Sequence, residues 1–266
     1  MAQEKWLVDG PKTIDVEGVR SLKVGLINGQ VDIIGHDEPG ARVEVHSVRG
    51  RDLLVSIDGD TLEVNHPQLR WDNFIEVFGT FDGKASADVS IMVPREVALK
   101  FGVVNSSGLI TGLSGDASVS SVNGDVIVDG LTGRLQLNTV TGELGVRNHS
   151  GKIAAKTVSG DITASGEVSS WASDGVSGNV FLDLTGVPDE VRVNTVSGNI
   201  TARLDADAGA SYSINKVGGR LQLDNAEVKG ARGSYKGKFG HLEGRWTDVR
   251  INTVTGDVSV LHAVRA

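Results

Sequence analysis

Glycine recurs in this chain at a fixed beat. Gly115, Gly124, Gly133, Gly142, Gly151 and Gly160 follow one another at intervals of nine residues. Gly178 comes one double interval later, and Gly198, Gly219 and Gly256 continue with a looser count. With each glycine as position one, the third position reads Ala117, Val126, Leu135, Leu144, Ile153 and Ile162. The fifth reads Val119, Val128, Leu137, Val146, Ala155 and Ala164. Apolar residues two apart with polar neighbours share one face of a short strand. A small polar residue before the glycine, as at Asn123, Thr132, Thr141, Ser150 and Ser159, is turn chemistry. Nine residues therefore make one strand and one corner, and those ten glycines are expected to be structural turn positions. A strand of about five residues cannot bury its face alone, so the units have to stack.

Alternate units are the more alike. Val-Asn-Gly-Asp-Val (122–126), Val-Thr-Gly-Glu-Leu (140–144), Val-Ser-Gly-Asp-Ile (158–162) and Val-Ser-Gly-Asn-Val (176–180) repeat one pattern, which returns at 196–200 and 254–258. The pattern predicts an all-β fold: a two-faced parallel β-solenoid of about 18 residues per coil, its coils about 4.8 Å apart. A β-sandwich is the competing architecture, but sandwich strands do not usually keep a fixed count through six units. Position eight (Val122, Leu131, Val140, His149, Val158) is expected to complete the inward apolar set. His149 is its polar exception, expected to point outward at the corner before Gly151.

Composition limits the chemistry. The 266 residues hold 35 glycines, 5 prolines and no cysteine, with a formal charge of −8. Such glycine enrichment often marks disorder, but 39% hydrophobic residues supply a core. The lack of cysteine excludes disulfides, thiol nucleophiles and thiolate metal sites. No apolar run reaches the roughly 18–20 residues that cross a bilayer. The start, Met1-Ala2-Gln3-Glu4-Lys5-Trp6, lacks a secretory layout. That points to a cytoplasmic chain, or to an exported one already trimmed. The acidic balance argues against nucleic acid as a partner.

The ends differ from the middle. Residues 1–103 are β-rich without a period and are expected to cap the solenoid, whose repeats occupy 104–266. Leu26–Ile33 resembles a single degenerate repeat, so the first coil is expected to begin there. Asp58-Gly59-Asp60 between two apolar runs signals a hairpin. At the other end, 224–248 interrupts the rhythm with a basic, glycine-rich stretch that does not match a P-loop. Val258-Ser259-Val260-Leu261-His262 closes the last repeat without an evident cap, leaving an edge able to pair with another copy.

At its Val-Ser-Gly-Asp-Ile repeats the chain resembles the bacterial putative-adhesin, β-strand-repeat family, a domain of unknown function with pectin-lyase-like coiling. Ile91-Met92-Val93-Pro94 leading to Asn105-Ser106-Ser107-Gly108-Leu109-Ile110 is similar to that family's approach to its repeats. So is the ending Val249-Arg250-Ile251-Asn252-Thr253-Val254-Thr255-Gly256-Asp257-Val258. The resemblance spans most of 15–262 and implies a β-solenoid without assigned catalytic residues. Surface adhesion would need an export signal or anchor, and neither is expected from the residues of this sequence.

Position two should stand outward after each corner and form ladders. Asp125, Glu143, Asp161, Asn179 and Asn199 line one edge, and Asp116, Arg134 and Lys152 the other. Stacked like charges repel, and a metal ion could relieve them. The calcium β-roll motif GGxGxDxUx is absent, however, so a solvated edge is expected and no metal or cofactor. The six histidines show no HExxH or close ligand spacing. Asp161 or Glu143 could serve a carbohydrate-active enzyme as acid or base, but no paired-carboxylate signature or nucleophile elbow accompanies them. The expected role is therefore a non-catalytic module for a protein or glycan ligand. The alternative is a structural protein that associates through its solenoid ends. The aromatic cluster Trp71, Phe74, Phe78 and Phe81 is the expected binding surface, with Trp171, Tyr235 and Trp246 as further candidates.

Overall fold

The computed structural model describes residues 4–67, 85–228 and 233–264, in which strands and no helices form. The chain divides into two compact units, Met1–Arg134 and Leu135–Ala266.

The first unit holds β1 (Glu4–Val8), β2 (Lys12–Glu17), β3 (Ser21–His36), β4 (Gly40–Arg49), β5 (Leu53–Asp58), β6 (Thr61–Asn65), β7 (Ser86–Pro94), β8 (Ala98–Thr111), β9 (Ala117–Ser121) and β10 (Val126–Asp129). The unit is organised by β3, a 16-residue strand. Its start pairs in parallel with β6 (Ser21↔Thr61) and its end with β7 (Gly29↔Ala87). Along most of its length it also runs parallel to β8, from Ser21↔Ala98 to Ile34↔Thr111. Antiparallel strands extend both arms, β5 and then β1 beyond β6, and β4 and then β2 beyond β7. Leu22, Val24 and Leu62 from one arm and Ile33, Val43 and Ile91 from the other are fully buried. The β5–β6 hairpin turns at Gly59-Asp60, where φ of +64° suits glycine. β8 continues the pattern, pairing first with β9 (Leu99↔Ala117) and then with β10 (Gly108↔Val126).

β11 (Thr132–Thr139) contains the boundary between the units. The second unit then holds β12 (Leu144–Thr157), β13 (Ile162–Gly175), β14 (Val180–Leu184), β15 (Glu190–Ser197), β16 (Ile200–Leu204), β17 (Ala210–Lys216), β18 (Leu221–Leu223), β19 (Ala226–Glu227), β20 (Gly233–Phe239), β21 (Thr247–Thr255) and β22 (Val258–His262). Two parallel stacks form. In one, the starts of β12 and β13 are followed by β14, β16, β22 and β18, with Leu144↔Ile162, Ile162↔Val180, Val180↔Ile200, Ile200↔Val258 and Leu221↔Val258 in register. In the other, the ends of β12 and β13 are followed by β15, β21 and β17.

The C-terminal strand is therefore not an open edge. β22 lies between β16 and β18, parallel to both. The chain leaves a slot beside β15 and β16, forms β17 and β18 one place further out, then returns to fill the slot. The matching side chains explain the choice. Asn252-Thr253-Val254-Thr255-Gly256-Asp257 repeats Asn194-Thr195-Val196-Ser197-Gly198-Asn199 closely, whereas Asn215-Lys216-Val217-Gly218-Gly219-Arg220 is degenerate. Beyond β17 and β18, the antiparallel strands β20 and β19 cover the stacks. The exposed Lys236 and Lys238 on β20 blunt that edge against another chain.

Backbone proximity requires glycine where the stacks turn. A Cβ on Gly198 would lie 2.2 Å from the carbonyl oxygen of Gly178, and one on Gly256 would lie 2.1 Å from that of Gly198. Both residues also have φ above +120°. Each corner rests directly on the corner beneath it, so the glycines leave room for the neighbouring strand as much as they permit a turn. At Gly133 and Gly151 the chain rounds the corner inside β11 and β12.

The third and fifth columns are buried throughout. The eighth is not uniform. Val122 and Leu131 are buried, while Val158, Val176, Val196, Val217 and Val254 stand about half or more exposed. Alternation continued from position five sends position seven inward and positions six and eight outward. Thr139 and Thr157 duly lie inside, donating through Oγ1 to the carbonyls of Gly142 (2.9 Å) and Gly160 (2.7 Å). His149 is buried rather than outward-facing. A bulge between Val146 and His149, with Asn148 at φ +50°, shifts the alternation by one residue and turns the ring inward.

Candidate functional site

In the second unit the in-register stack of β12, β13, β15, β21 and β17, bordered by β20, presents an outer face of regular rows. One row is Lys156, Asp174, Asn194, Asn252 and Asn215. Three of its links are side-chain hydrogen bonds. Asn194 Nδ2 donates to Asp174 Oδ1 (2.8 Å), Asn252 Nδ2 to Asn194 Oδ1 (2.7 Å), and Asn215 Nδ2 to Asn252 Oδ1 (2.8 Å). Parallel pairing puts identical amides one strand spacing apart, so donor and acceptor meet without distortion. Beside this row runs the valine ridge Val158, Val176, Val196, Val254 and Val217. A groove of about 590 Å³ lies along the two rows, lined by Asp174, Asn194, Val196, Asn252, Val254 and Asn215 among others.

The next row is Ala154, Ala172, Arg192, Arg250 and Ser213, continued on β20 by Lys236. Small residues at its ends leave two further depressions, one beside Ala154, Ala172 and Arg192 and one beside Ser213, Lys236 and Arg250. Arg250 pairs with Asp248 and lies 3.6 Å from Glu190. The Asp248 carboxylate holds its pKa above the ordinary guanidinium value. Behind the groove, Lys216 enters the core in the column that Thr195 and Thr253 occupy in neighbouring strands. It is 2% exposed, and its Nζ has no hydrogen-bond partner among the described residues. Burial lowers its pKa, opposed by the charge of Asp257.

A family model matches residues 20–261. The chain belongs to the Toastrack DUF4097 family. Two solved structures are similar to this Toastrack chain. A putative adhesin from Parabacteroides distasonis is 16% identical, with a TM-score of 0.48 over 98% of this chain and 97% of that one. A putative cell adhesion protein from Clostridium sporogenes is 14% identical, with a TM-score of 0.30 over 95% and 100% of the two chains. No curated protein matches.

The family's β-solenoid-like fold accounts for the position-two residues, which do more than face solvent. The Asn179 backbone N–H donates to Asp161 Oδ1 (2.7 Å), that of Asn199 to Asn179 Oδ1 (3.0 Å), and that of Asp257 to Asn199 Oδ1 (3.0 Å). The Arg220 N–H ends the series on Asp257 Oδ1 (2.8 Å). Each side chain accepts from the backbone of the next corner, so the edge is a hydrogen-bond ladder in which the amides Asn179 and Asn199 stand between the carboxylates Asp161 and Asp257. Of the other set, Arg134 N–H donates to Asp116 Oδ1 (3.0 Å) within the first unit, while exposed Lys152 belongs to the face of rows of the second. Among the described residues, no group of three or more His, Asp or Glu side chains is placed to hold a metal ion. Among them, too, no helix is long and apolar enough to cross a membrane.

Of the aromatic candidates, Trp71, Phe74, Phe78 and Phe81 lie outside the described residues. Trp171 is no surface residue. It is fully buried in β13, with its Nε1 donating to Ser173 Oγ at 3.0 Å. Trp246 is exposed, and Tyr235 is half-buried on β20. The amide row was not among the expected site residues, although its signal is present as Asn-Thr-Val at 138–140, 194–196 and 252–254. The repeated asparagine at position six is the residue that alternation places outward beside the valine.

Proposed function

We propose that the protein is a non-catalytic binding module whose ligand lies on the outer face of β12, β13, β15, β21, β17 and β20. In this reading the chain is a two-faced parallel β-solenoid of about 18 residues per coil, with residues 1–103 as its cap and the ten repeat glycines as its corners. The observation that carries the proposal is the amide row bonded side chain to side chain beside an exposed valine ridge. A sheet face needs neither feature for folding, because valine gains nothing from exposure and lone amides solvate well. A rigid array of repeated donors and acceptors suits a repetitive or extended ligand.

Catalysis has less support. The Asp161 carboxylate is engaged by the backbone and side chain of Asn179, which suits a structural acceptor better than an acid or base. The test is an array of glycans and proteins probed with the wild type and with Val196→Gln/Val254→Gln, which replaces the apolar ridge by neutral polar side chains on the paired strands. Both valines are about half exposed, so the melting temperature should hold while binding is lost. Ligands bound equally by the variant, or ligands chemically turned over, would overturn the proposal.

A further inference from the structure

The ligand class can be narrowed from the charge of this face, on the premise that the face is the binding surface. The chain as a whole is acidic, with a formal charge of −8. The face carries the opposite balance: Lys152, Lys156, Arg192, Arg250, Lys236 and Lys238 against Asp174, Glu190 and Asp248. Two of those carboxylates are occupied by Arg250, and Asp174 accepts from Asn194. Lys152, Lys156, Arg192, Lys236 and Lys238 are exposed. None of these five has an ion-pair partner among the described residues. Cations are thus spread across the face, with Arg192 near its middle. In their shared row, Arg192 and Lys236 are three strand steps apart, about 14 Å.

We propose that this face binds an acidic polysaccharide, with carboxylates on the exposed cations and hydroxyls on the amide row. Each amide has two N–H donors and two acceptor lone pairs, and the row consumes one donor from each of Asn194, Asn252 and Asn215. What is left is a series of adjacent donors and acceptors. Sugar hydroxyls both donate and accept, so they can use both halves of that series, whereas a carboxylate side chain only accepts. The valine ridge offers an apolar rail to the C–H faces of the rings. Nucleic acid fits less well. Trp171 and Tyr212 point into the core, and Tyr235 stands opposite inward-facing Ile214. Trp246, exposed and directly before β21, is a single ring at the end of the face, whereas a single strand is held by a series of rings that stack successive bases.

The experiment titrates the full chain with oligogalacturonate, with neutral dextran of similar length, with polyglutamate and with oligo(dT), by calorimetry at low and physiological salt. Oligogalacturonate should bind and weaken as salt rises. It should be favoured roughly tenfold over dextran by one charge-assisted contact or more, and roughly tenfold over polyglutamate and oligo(dT) by the hydroxyl hydrogen bonds to the amide row. Lys156→Gln and Arg192→Gln, which place no carboxylate beside Asp174, should each lose roughly tenfold in affinity without a change in melting temperature. Equal binding of polyglutamate or oligo(dT) would reduce the face to unspecific charge and overturn the proposal. Dextran binding as tightly as oligogalacturonate, and lost in Val196→Gln/Val254→Gln, would keep the face as a binding surface while overturning the acidic class. Oligogalacturonate binding left intact by both substitutions would overturn the assignment to this face.

Discussion

Acid should destabilise this protein through His66. The ring is fully buried, and its Nδ1 accepts from the Ile27 backbone N–H at 3.2 Å. Burial lowers its pKa from 6.5 to about 4, and the Ile27 donor likewise favours an unprotonated Nδ1. Because the folded value lies below the unfolded one, the unfolded chain binds the extra proton first. The stabilising contribution is fully present above pH 6.5 and is lost as pH falls from 6.5 towards 4. A tenfold change in proton affinity is worth about 1.4 kcal/mol, so the whole window is worth about 3 kcal/mol. About 2 kcal/mol of that should be gone by pH 5. Urea unfolding at pH 7.5 and pH 5 measures the loss. His66→Gln, whose amide oxygen can still accept from Ile27, removes the titration and supplies the baseline. The reasoning fails if the Gln variant loses as much stability between the two pH values as the wild type. It fails equally if His66 titrates by NMR at its ordinary value.

Other perturbations separate the forces in the second unit. Gly198→Ala should cost about 3 kcal/mol or more, or prevent folding, because its Cβ would meet a backbone carbonyl oxygen. Gly10→Ala, with nothing within 4 Å of the added carbon, should be close to neutral, and equal denaturation midpoints for the two would refute the close approach. Lys216→Met should stabilise at neutral pH by about 1–3 kcal/mol, by removing a buried amine without a partner. With its folded pKa lowered below 10.5, the wild type should recover stability as pH rises from that lowered value towards 10.5. The Met variant should lack this recovery. Asp257 is held below its ordinary pKa by the Arg220 backbone N–H and then by the Arg220 guanidinium. Its contribution is present above pH 3.8 and is lost as pH falls through the folded value. Asp257→Asn keeps the acceptor for the Arg220 N–H and should reduce this acid sensitivity, though only slightly, since the carboxylate is about a third exposed.

Much of the architecture is legible in the sequence because glycine spacing and strand alternation report the same geometry. Columns three and five, from Ala117 to Ala164, are buried as the period demands. Column eight departs from expectation because the apolar character of Val158 points one way and its parity the other, and parity wins. Parity alone sends Val158, Val176 and Val196 outward and Thr139 and Thr157 inward. His149 departs for the opposite reason, since no residue type announces the bulge at Asn148 that reverses parity there. The return of β21 and β22 between older strands is hidden because parallel pairing is decided by how well rows match and not by sequence order. The amide row shares its origin with that return. Asn194 and Asn252 are 58 residues apart and meet only because β21 fills the slot beside β15.

The binding face is tested most directly by amide chemical-shift mapping of the full chain during titration with oligogalacturonate. Shifts should concentrate at Arg192, Asn194, Val196, Arg250, Asn252 and Lys236, the rows shared by β15, β21 and β20. Shifts confined to the opposite stack, at Thr163, Phe181, Thr201 and Ser259, would contradict the account, and so would a spectrum that does not change.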